Sequence, residues 1–217
     1  MEPRAAGQDR SLKSNFAPNF IPQDAPGGVD PRYTFGTAPI NHLIRHIATR
    51  GHEVGLHPHL NSYLTPASIK AQADVLRLAC KDNAAPQPVG GRMHYLQWQM
   101  PQTPAAWANA GMGYDSSLGY AERPGFRAGT CFDYPGFDPV ACVPLGLMIR
   151  PLVAMEVTVI STAYLGLGTG AVALAQFTAI KEACRKVSGR FTFLWHNDGL
   201  GPHSPANRAL YTQVLDA

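Results

Sequence analysis

The sequence predicts an α/β fold whose strands form a largely parallel sheet or barrel. Helical segments and short apolar segments alternate along the chain, which is the pattern that βα units produce. No internal repeat or low-complexity tract interrupts this alternation. The chain has 217 residues, of which 45% are hydrophobic, and is therefore long enough to bury one sizeable core. We expect one catalytic-sized domain over residues 15–217, preceded by a polar tail or truncated start at residues 1–14.

The helices are predicted from the spacing of apolar residues and from typical first and last residues. Apolar residues recur at helical spacing at Ile40, Leu43, Ile44 and Ile47. Gly51 follows this segment as a stop signal. Two more helices begin at the Thr-Pro pairs 65–66 and 103–104, because threonine can cap a helix and proline fits its first turn. A fourth helix is expected over residues 171–187.

Short apolar or β-branched segments predict strands at residues 16–21, 54–56, 152–160 and 190–195. A Gly/Pro-rich stretch, residues 119–146, separates the two halves of this pattern. In α/β folds the reactive groups lie at the carboxyl ends of the strands, where the loops converge on one rim. His57 and His196 each follow a predicted strand directly, so we expect both at this rim.

The composition excludes several classes of protein. Eighteen basic and fifteen acidic residues give a net charge of +3, spread thinly along the chain, so we expect no nucleic-acid partner. No run of about 18 apolar residues indicates a transmembrane helix. The first residues lack the apolar segment of a signal peptide, from which we expect a cytoplasmic location. The four cysteines form no Cys-x-x-Cys pair and are expected to be free and partly buried.

The densest cluster of chemically active residues is Gly-His-Glu-Val-Gly-Leu-His-Pro-His-Leu-Asn, residues 51–61. A strand that ends in closely spaced imidazoles can offer neutral nitrogen ligands to a divalent metal, and nitrogen is a preferred ligand of zinc. The segment therefore predicts either a metal site or a histidine-rich surface loop.

Two other positions carry candidate chemistry. His196 closes the last predicted strand, and an imidazole there is either a general acid or a structural histidine. Arg92 follows two glycines that let the backbone approach a ligand. Arg92 could orient a carboxylate, with Asp115 as its partner, or the two could form an ordinary salt bridge.

Three of these stretches, in this order, resemble motifs of the polysaccharide deacetylase family. Residues 51–57 are similar to the family's second motif, and Arg-Met-His-Tyr at 92–95 stands in the place of its Arg-x-Pro-aromatic motif. Phe-Leu-Trp-His at 193–196 resembles its late Leu-x-His motif. Residues 112–131 resemble a bacterial branch of the family that is often found with surface-polysaccharide genes. The resemblance runs over residues 14–200, which is most of the chain.

This resemblance implies a distorted (β/α)7 barrel of the NodB type and metal-dependent removal of N-acetyl groups from a glycan. His57 would be a ligand of a divalent metal ion, Zn²⁺, and His196 would protonate the leaving amine. Arg92 would tether the catalytic carboxylate, with Asp115 as a further catalytic candidate. The ion would polarise the acetamide carbonyl and lower the pKa of a bound water.

Residues beside these motifs are expected to face the substrate. Tyr95 would lie next to the oxyanion, where family members use a backbone N–H. His94 stands in the place of the family's motif proline, and Trp195 precedes the proposed acid. All three are therefore candidates for contact with the glycan.

The chain also departs from the family pattern. The family's first motif is a pair of aspartates at the end of the first strand, and it has no counterpart upstream of Phe16. We therefore expect a barrel lacking its first strand, with weak metal affinity and little or no turnover. The fourth residue after His57 is Asn61 instead of the family's second histidine, and His59 is a possible substitute.

Two alternatives to a metal-dependent deacetylase remain. The first is a carbohydrate-binding pseudoenzyme that kept the fold and lost the catalytic base. The second, which ranks lower, is an amidohydrolase-type barrel, because His57 and His59 match the His-x-His ligand pair of that superfamily. In that superfamily the pair ends the first strand, whereas here a predicted helix and an earlier strand precede it.

Overall fold

The computed structural model describes residues 16–23 and 33–217, so the predicted tail at residues 1–14 lies outside it. The helices of the described residues are α1 (Ala38–Thr49), α2 (Pro66–Asp82), α3 (Gln102–Asn109), α4 (Glu156–Ile160), α5 (Ala171–Lys186) and α6 (Pro205–Asp216). The strands are β1 (Asn19–Phe20), β2 (Gly55–Leu56), β3 (Gly90–Gly91), β4 (Tyr114–Asp115), β5 (Tyr134–Asp138), β6 (Val143–Ile149), β7 (Ala154–Met155) and β8 (Phe193–Leu194). Single 3-10 turns cover Ser62–Leu64, His94–Leu96 and Asn197–Leu200.

Six strands form one sheet in the order β1-β2-β3-β4-β6-β5. All neighbours in it pair in parallel except β5, which runs antiparallel to β6. Strands β7 and β8 form a second, parallel pair. The fold is therefore α/β with a mostly parallel sheet, which confirms the predicted class. The paired strands of the described residues do not close into a ring, so the barrel stays a prediction.

The predicted helices lie at α1, α2, α3 and α5. Thr65 occupies the N-cap position of α2 and Pro66 is its first residue, as the Thr-Pro pair indicates. The second Thr-Pro pair lies one residue inside α3, whose N-cap residue is Pro101. The sequence signal therefore located both helix starts to within two residues.

The predicted strand at residues 152–160 is wrong over its second half. Strand β7 ends at Met155, and α4 begins at Glu156. The backbone N–H groups of Leu165 and Leu167 donate to carbonyl groups of this helix at 3.1 and 3.0 Å. These hydrogen bonds from the following loop stabilise the helix, although β-branched residues have a modest preference for strands.

The Gly/Pro-rich stretch contains a hairpin that the sequence did not indicate, formed by β5 and β6. Strand β5 reads Tyr-Pro-Gly-Phe-Asp, and proline and glycine are both depleted in strands. Pro135 is tolerated because β5 lies at the edge of the sheet, where a missing N–H leaves no neighbour without a partner.

Strand β3 consists of two glycines between β2 and β4. A Cβ atom at Gly91 would overlap the backbone of Leu56, and one at Gly90 would overlap the ring of Tyr114. The glycines therefore let β3 approach its neighbours more closely than any other residue could.

Two main cores flank the sheets. The larger packs α1, α2 and α3 against the six-stranded sheet, and its largest fully buried side chains are Trp107, Ile44, Leu56, Ile69, Leu76, Met93 and Met112. The second packs α4, α5 and α6 against β7 and β8, and its buried members include Phe177, Val159 and Leu210. Both cores are formed by helices that pack on the sheets. The residues that directly follow β2, β3, β4 and β7 are polar: His57, Arg92, Ser116 and Glu156.

The four cysteines are free, as expected, and three of them are buried. Cys142 differs from the expectation because it is exposed, in the turn between β5 and β6. None of the helices in the described ranges is long and apolar enough to cross a membrane.

We predict that Gly91→Ala lowers the free energy of unfolding by about 2 kcal/mol or more, because the added methyl group overpacks against the Leu56 backbone. Gly146→Ala is the matched control, since no atom lies within 4 Å of a Cβ at this strand glycine. The control should change stability by less than about 1 kcal/mol. Urea unfolding of both variants measures the difference, and equal stability would contradict the proposed close approach.

Candidate functional site

The candidate site lies at the carboxyl ends of the parallel strands. The first residues past three strands donate backbone N–H groups to the neighbouring strand: His57 to Phe20 (2.8 Å), Arg92 to Leu56 (2.9 Å) and Ser116 to Gly91 (2.9 Å). The parallel register therefore places His57, Arg92 and Ser116 in a row along one rim, as expected for this fold class.

The ring of His57 is held in one orientation by the next strand. Its Nδ1 lies 2.7 Å from the carbonyl oxygen of Arg92, which can only accept, so Nδ1 carries the hydrogen. The other nitrogen, Nε2, lies 3.0 Å from Nδ1 of His94. Burial, and then the neighbouring His94, lower the pKa of His57 to about 3. The ring is therefore neutral near pH 7, with the lone pair of Nε2 directed at His94.

The Arg92 side chain is buried and binds the loop after β4. Its Nε donates to the carbonyl of Ser116 at 2.8 Å, and Nη2 donates to the Ser116 hydroxyl at 2.9 Å. Burial lowers the pKa of Arg92 to about 10, so the guanidinium stays charged near neutral pH. The guanidinium thus binds Ser116 instead of forming the salt bridge with Asp115 that the sequence left open.

Asp115 is fully buried, and three donors occupy its carboxylate. Oδ1 accepts from the backbone N–H of Ser117 at 2.9 Å and from the Ser117 hydroxyl, and Oδ2 accepts from Nε1 of Trp98 at 2.8 Å. Burial raises the pKa of Asp115, and the hydrogen bonds from Ser117 and Trp98 oppose that rise. Because both oxygens are occupied, Asp115 fixes the rim loops to one another.

The second sheet contributes an acid–histidine pair. Glu156 follows β7, and its Oε1 accepts hydrogen bonds from the backbone N–H of His196 at 2.9 Å and from Nδ1 of the same ring. This hydrogen bond raises the pKa of His196 above its ordinary value. Glu156 is buried, whereas the His196 side chain is 46% exposed. The ring can therefore carry a proton near neutral pH and present Nε2 to solvent.

The two sheets bring this pair close to the first rim. Besides burial and the charges of His94 and Arg92, the charge of His196 is a smaller cause of the lowered pKa of His57. The negative charge of Glu156 raises the pKa of Arg92, against the effect of burial. The described residues thus place His57, His94, Arg92, Glu156 and His196 in one electrostatically connected cluster.

Glu156 was not among the residues predicted from the sequence. The signal that could have found it is a single acidic residue inside the apolar segment Leu-Val-Ala-Met-Glu-Val-Thr-Val-Ile. Carboxylates are almost never fully buried unless they are paired, so an acid in such a segment indicates a buried partner. The segment was interpreted as a strand only, and the partner, His196, is 40 residues away in the chain.

His59 and Asn61, the two other predicted metal ligands, contact other groups. Nδ1 of His59 contacts the carbonyl of Leu60 at 2.8 Å and the hydroxyl of Ser62 at 3.1 Å, and its Nε2 contacts the hydroxyl of Ser68 at 3.1 Å. Asn61 is exposed, and its Oδ1 lies 3.5 Å from the side-chain nitrogen of Gln97. Neither side chain has a hydrogen bond to His57.

The substrate-contact candidates differ in their surroundings. Tyr95 is 74% exposed, and its ring lies on that of His94 with 4.5 Å between the centroids. Trp195 belongs to an aromatic cluster, with its ring centroid 6.3 Å from that of Phe193 and 5.2 Å from that of Tyr211. His94 and Tyr95 therefore lie at the rim beside His57, whereas Trp195 packs with the second core.

The described residues contain no complete set of metal ligands. In residues 16–23 and 33–217, no three His, Cys, Asp or Glu side chains converge as ligands. His57 and His94 do bring two imidazole nitrogens together. Catalytic zinc sites use three protein ligands, so this pair has the right donor chemistry for zinc and would supply two of them.

A cavity of about 330 Å³ lies next to Glu156. It is lined by Glu156, Val157, Ile160, Ser161, Asp198, Gly199, Ser204 and Asn207. It is open to solvent, and aliphatic side chains lie in it beside hydroxyl, amide and carboxylate groups.

A solved structure of a candidate polysaccharide deacetylase from Mycobacterium smegmatis is similar to this chain. The alignment has a TM-score of 0.54 and 23% sequence identity, and covers 81% of this chain. The chain spans 60% of the length of that structure. The similarity shows that the fold is deacetylase-like. No protein-family model matches the chain, and no similar curated protein was found.

We predict that Glu156→Gln lowers the pKa of His196, because the variant removes the negative charge that stabilises the imidazolium. Glu182→Gln, an exposed acid on α5, is the matched control and should leave this pKa unchanged. Titration of the His196 ring signal by NMR measures both variants. An unchanged pKa in Glu156→Gln would show that Glu156 does not set the charge of His196.

Proposed function

We propose that this chain is a polysaccharide deacetylase-like hydrolase that removes N-acyl groups from the amino sugars of a glycan. The observation that carries the proposal is the Glu156–His196 pair, an imidazole with a raised pKa on a rim that also holds His57. The deacetylase-like fold supports the same assignment.

Hydrolysis of an amide adds water at the carbonyl and breaks the C–N bond, and the departing nitrogen must gain a proton. We assign the donation of this proton to His196. Glu156 holds Nδ1 of the ring, so Nε2–H is the group that can pass its proton to the nitrogen. The products are a carboxylate such as acetate and a free amine on the sugar.

We propose that His57 is a ligand of a divalent metal ion, Zn²⁺. The carbonyl of Arg92 fixes the hydrogen on Nδ1 of His57, which leaves the lone pair of Nε2 for the ion. When bound, such an ion polarises the acyl carbonyl and lowers the pKa of a bound water. Arg92 and Asp115 position this region through their hydrogen bonds to Ser116, Ser117 and Trp98.

The glycan would lie across the rim between His94 and Tyr95 on one side and the cavity beside Glu156 on the other. The hydroxyl and amide groups of that cavity support a sugar ligand. Trp195, at the end of β8, is the remaining substrate candidate from the sequence. The similarity of residues 112–131 to the surface-polysaccharide branch favours a bacterial surface glycan.

We also propose that the two sheets are parts of one distorted barrel of the NodB type. The loop after β4 supports this, because the carbonyl of Leu118 accepts from the N–H of Leu152 at 3.0 Å. On the other side, the ring of Tyr211 lies 6.5 Å from that of Phe16 and 6.0 Å from that of Phe193, between centroids. Contacts therefore join the sheets at both ends.

A carbohydrate-binding pseudoenzyme is the second candidate, and the state of Asp115 favours it. A general base must be free to accept the proton of the attacking water. Asp115 is fully buried and its carboxylate already accepts three hydrogen bonds, an arrangement that suits a structural role better than that of a base. In that case the chain would bind the same glycan without hydrolysing it.

We predict slow, zinc-dependent release of acetate from N-acetylglucosamine oligomers, measured with the chain in excess over the substrate. His196→Ala should reduce the rate about 100-fold or more, because the leaving nitrogen loses its proton donor. His203→Ala, an exposed histidine in a nearby turn, is the matched control and should retain the rate.

The pH profile tests the same role. Because the acid must be protonated, the rate should fall as pH rises through the pKa of His196, and Glu156→Gln should move this fall to lower pH. Binding of the oligomers without any acetate release would favour the pseudoenzyme. A rate unaffected by His196→Ala would contradict the assignment of the acid.

A further inference from the structure

His57 and His94 form a closely spaced pair of potential metal ligands in the described residues. Nε2 of His57 and Nδ1 of His94 are 3.0 Å apart, and the two rings are nearly perpendicular, at 88°. Two nitrogens bound to one tetrahedral zinc ion, at about 2.0–2.1 Å each, lie about 3.3 Å apart. The existing separation is therefore within a few tenths of an ångström of that of a shared ion.

We propose that His94 is the second nitrogen ligand of the metal ion, beside His57. This inference deepens the proposed function and rests on it for the use of the ion. In the metal-free protein a hydrogen lies between the two nitrogens, and the ion would replace it. Nδ1 of His94 would then bind the ion in place of its present contact with Nε2 of His57.

The backbone around His94 supports this assignment. Tyr95 and Leu96 both have positive φ angles, 53° and 54°, which are strained for residues other than glycine. The N–H of Met93, just before the turn, donates to the Ser117 hydroxyl at 2.9 Å. The strained turn is thus anchored on the loop after β4, and His94 is held against His57.

The other two candidates are less suitable. The ring nitrogens of His59 both contact groups on or near α2, so binding the ion would break these contacts. Asn61 could offer only a neutral amide oxygen, a poorer ligand for zinc than imidazole. A His57–His94 pair would also select zinc-class ions over Mg²⁺ or Ca²⁺, which prefer oxygen ligands.

Calorimetric titration of the full chain with Zn²⁺ tests the proposal, with Mg²⁺ as the comparison ion. His94→Ala should weaken Zn²⁺ binding at least about 10-fold, and His57→Ala should do the same. His59→Ala and Asn61→Ala are the matched controls and should bind Zn²⁺ as the wild type does. Circular dichroism checks that each variant keeps its fold.

A second measurement needs no variant. The ¹⁵N shifts of Nδ1 of His94 and Nε2 of His57 should both change when Zn²⁺ is added, because these two nitrogens would bind the ion. Unchanged shifts, wild-type affinity in His94→Ala, or no Zn²⁺ binding by the wild type would each overturn the proposal. If Zn²⁺ binding depends on His94 but no acetate is released, the ligand assignment stands and the hydrolase proposal fails. If the wild type releases acetate but His94→Ala binds Zn²⁺ with normal affinity, the hydrolase proposal stands and the ligand assignment fails.

Discussion

The close approach of β3 to its two neighbours is the constraint on which the candidate site depends. With no side chain at Gly91, the N–H of Arg92 reaches the carbonyl of Leu56 at 2.9 Å. The same approach brings the carbonyl of Arg92 within 2.7 Å of the His57 ring and so fixes its tautomer. A larger residue in β3 would separate the strands and release the imidazole, so a backbone contact determines the chemistry of a side chain.

Residues of both sheets contribute to the candidate site, and their imidazoles lie in different environments. The six-stranded sheet supplies the neutral imidazole of His57 and the buried guanidinium of Arg92, whereas the β7–β8 pair supplies His196, whose pKa is raised. Opposite environments produce this difference, because burial disfavours the charged form of His57 and the carboxylate of Glu156 favours that of His196. The two environments therefore shift the pKa values of these two imidazoles in opposite directions.

Much of this arrangement could be predicted from the sequence. Helical spacing located α1 and α5, and the Thr-Pro pairs located α2 and α3, because these signals are local and depend on a few neighbouring residues. The positions of His57 directly after β2 and of His196 two residues after β8 could also be predicted, since the carboxyl ends of parallel strands meet at one rim. The hairpin of β5 and β6 could not, because its Pro and Gly are tolerated only at the edge of a sheet.

The sequence by itself therefore determined the α/β class, most helices and the residue types at the rim. Only the tertiary structure decided which of these residues are partners. It paired His196 with Glu156, His57 with His94, and Arg92 with Ser116 instead of Asp115. The residues of these pairs are 24 to 40 positions apart in the chain, and a local sequence pattern does not predict contacts over such separations. They follow from strand order and register, which the packing of the whole chain sets.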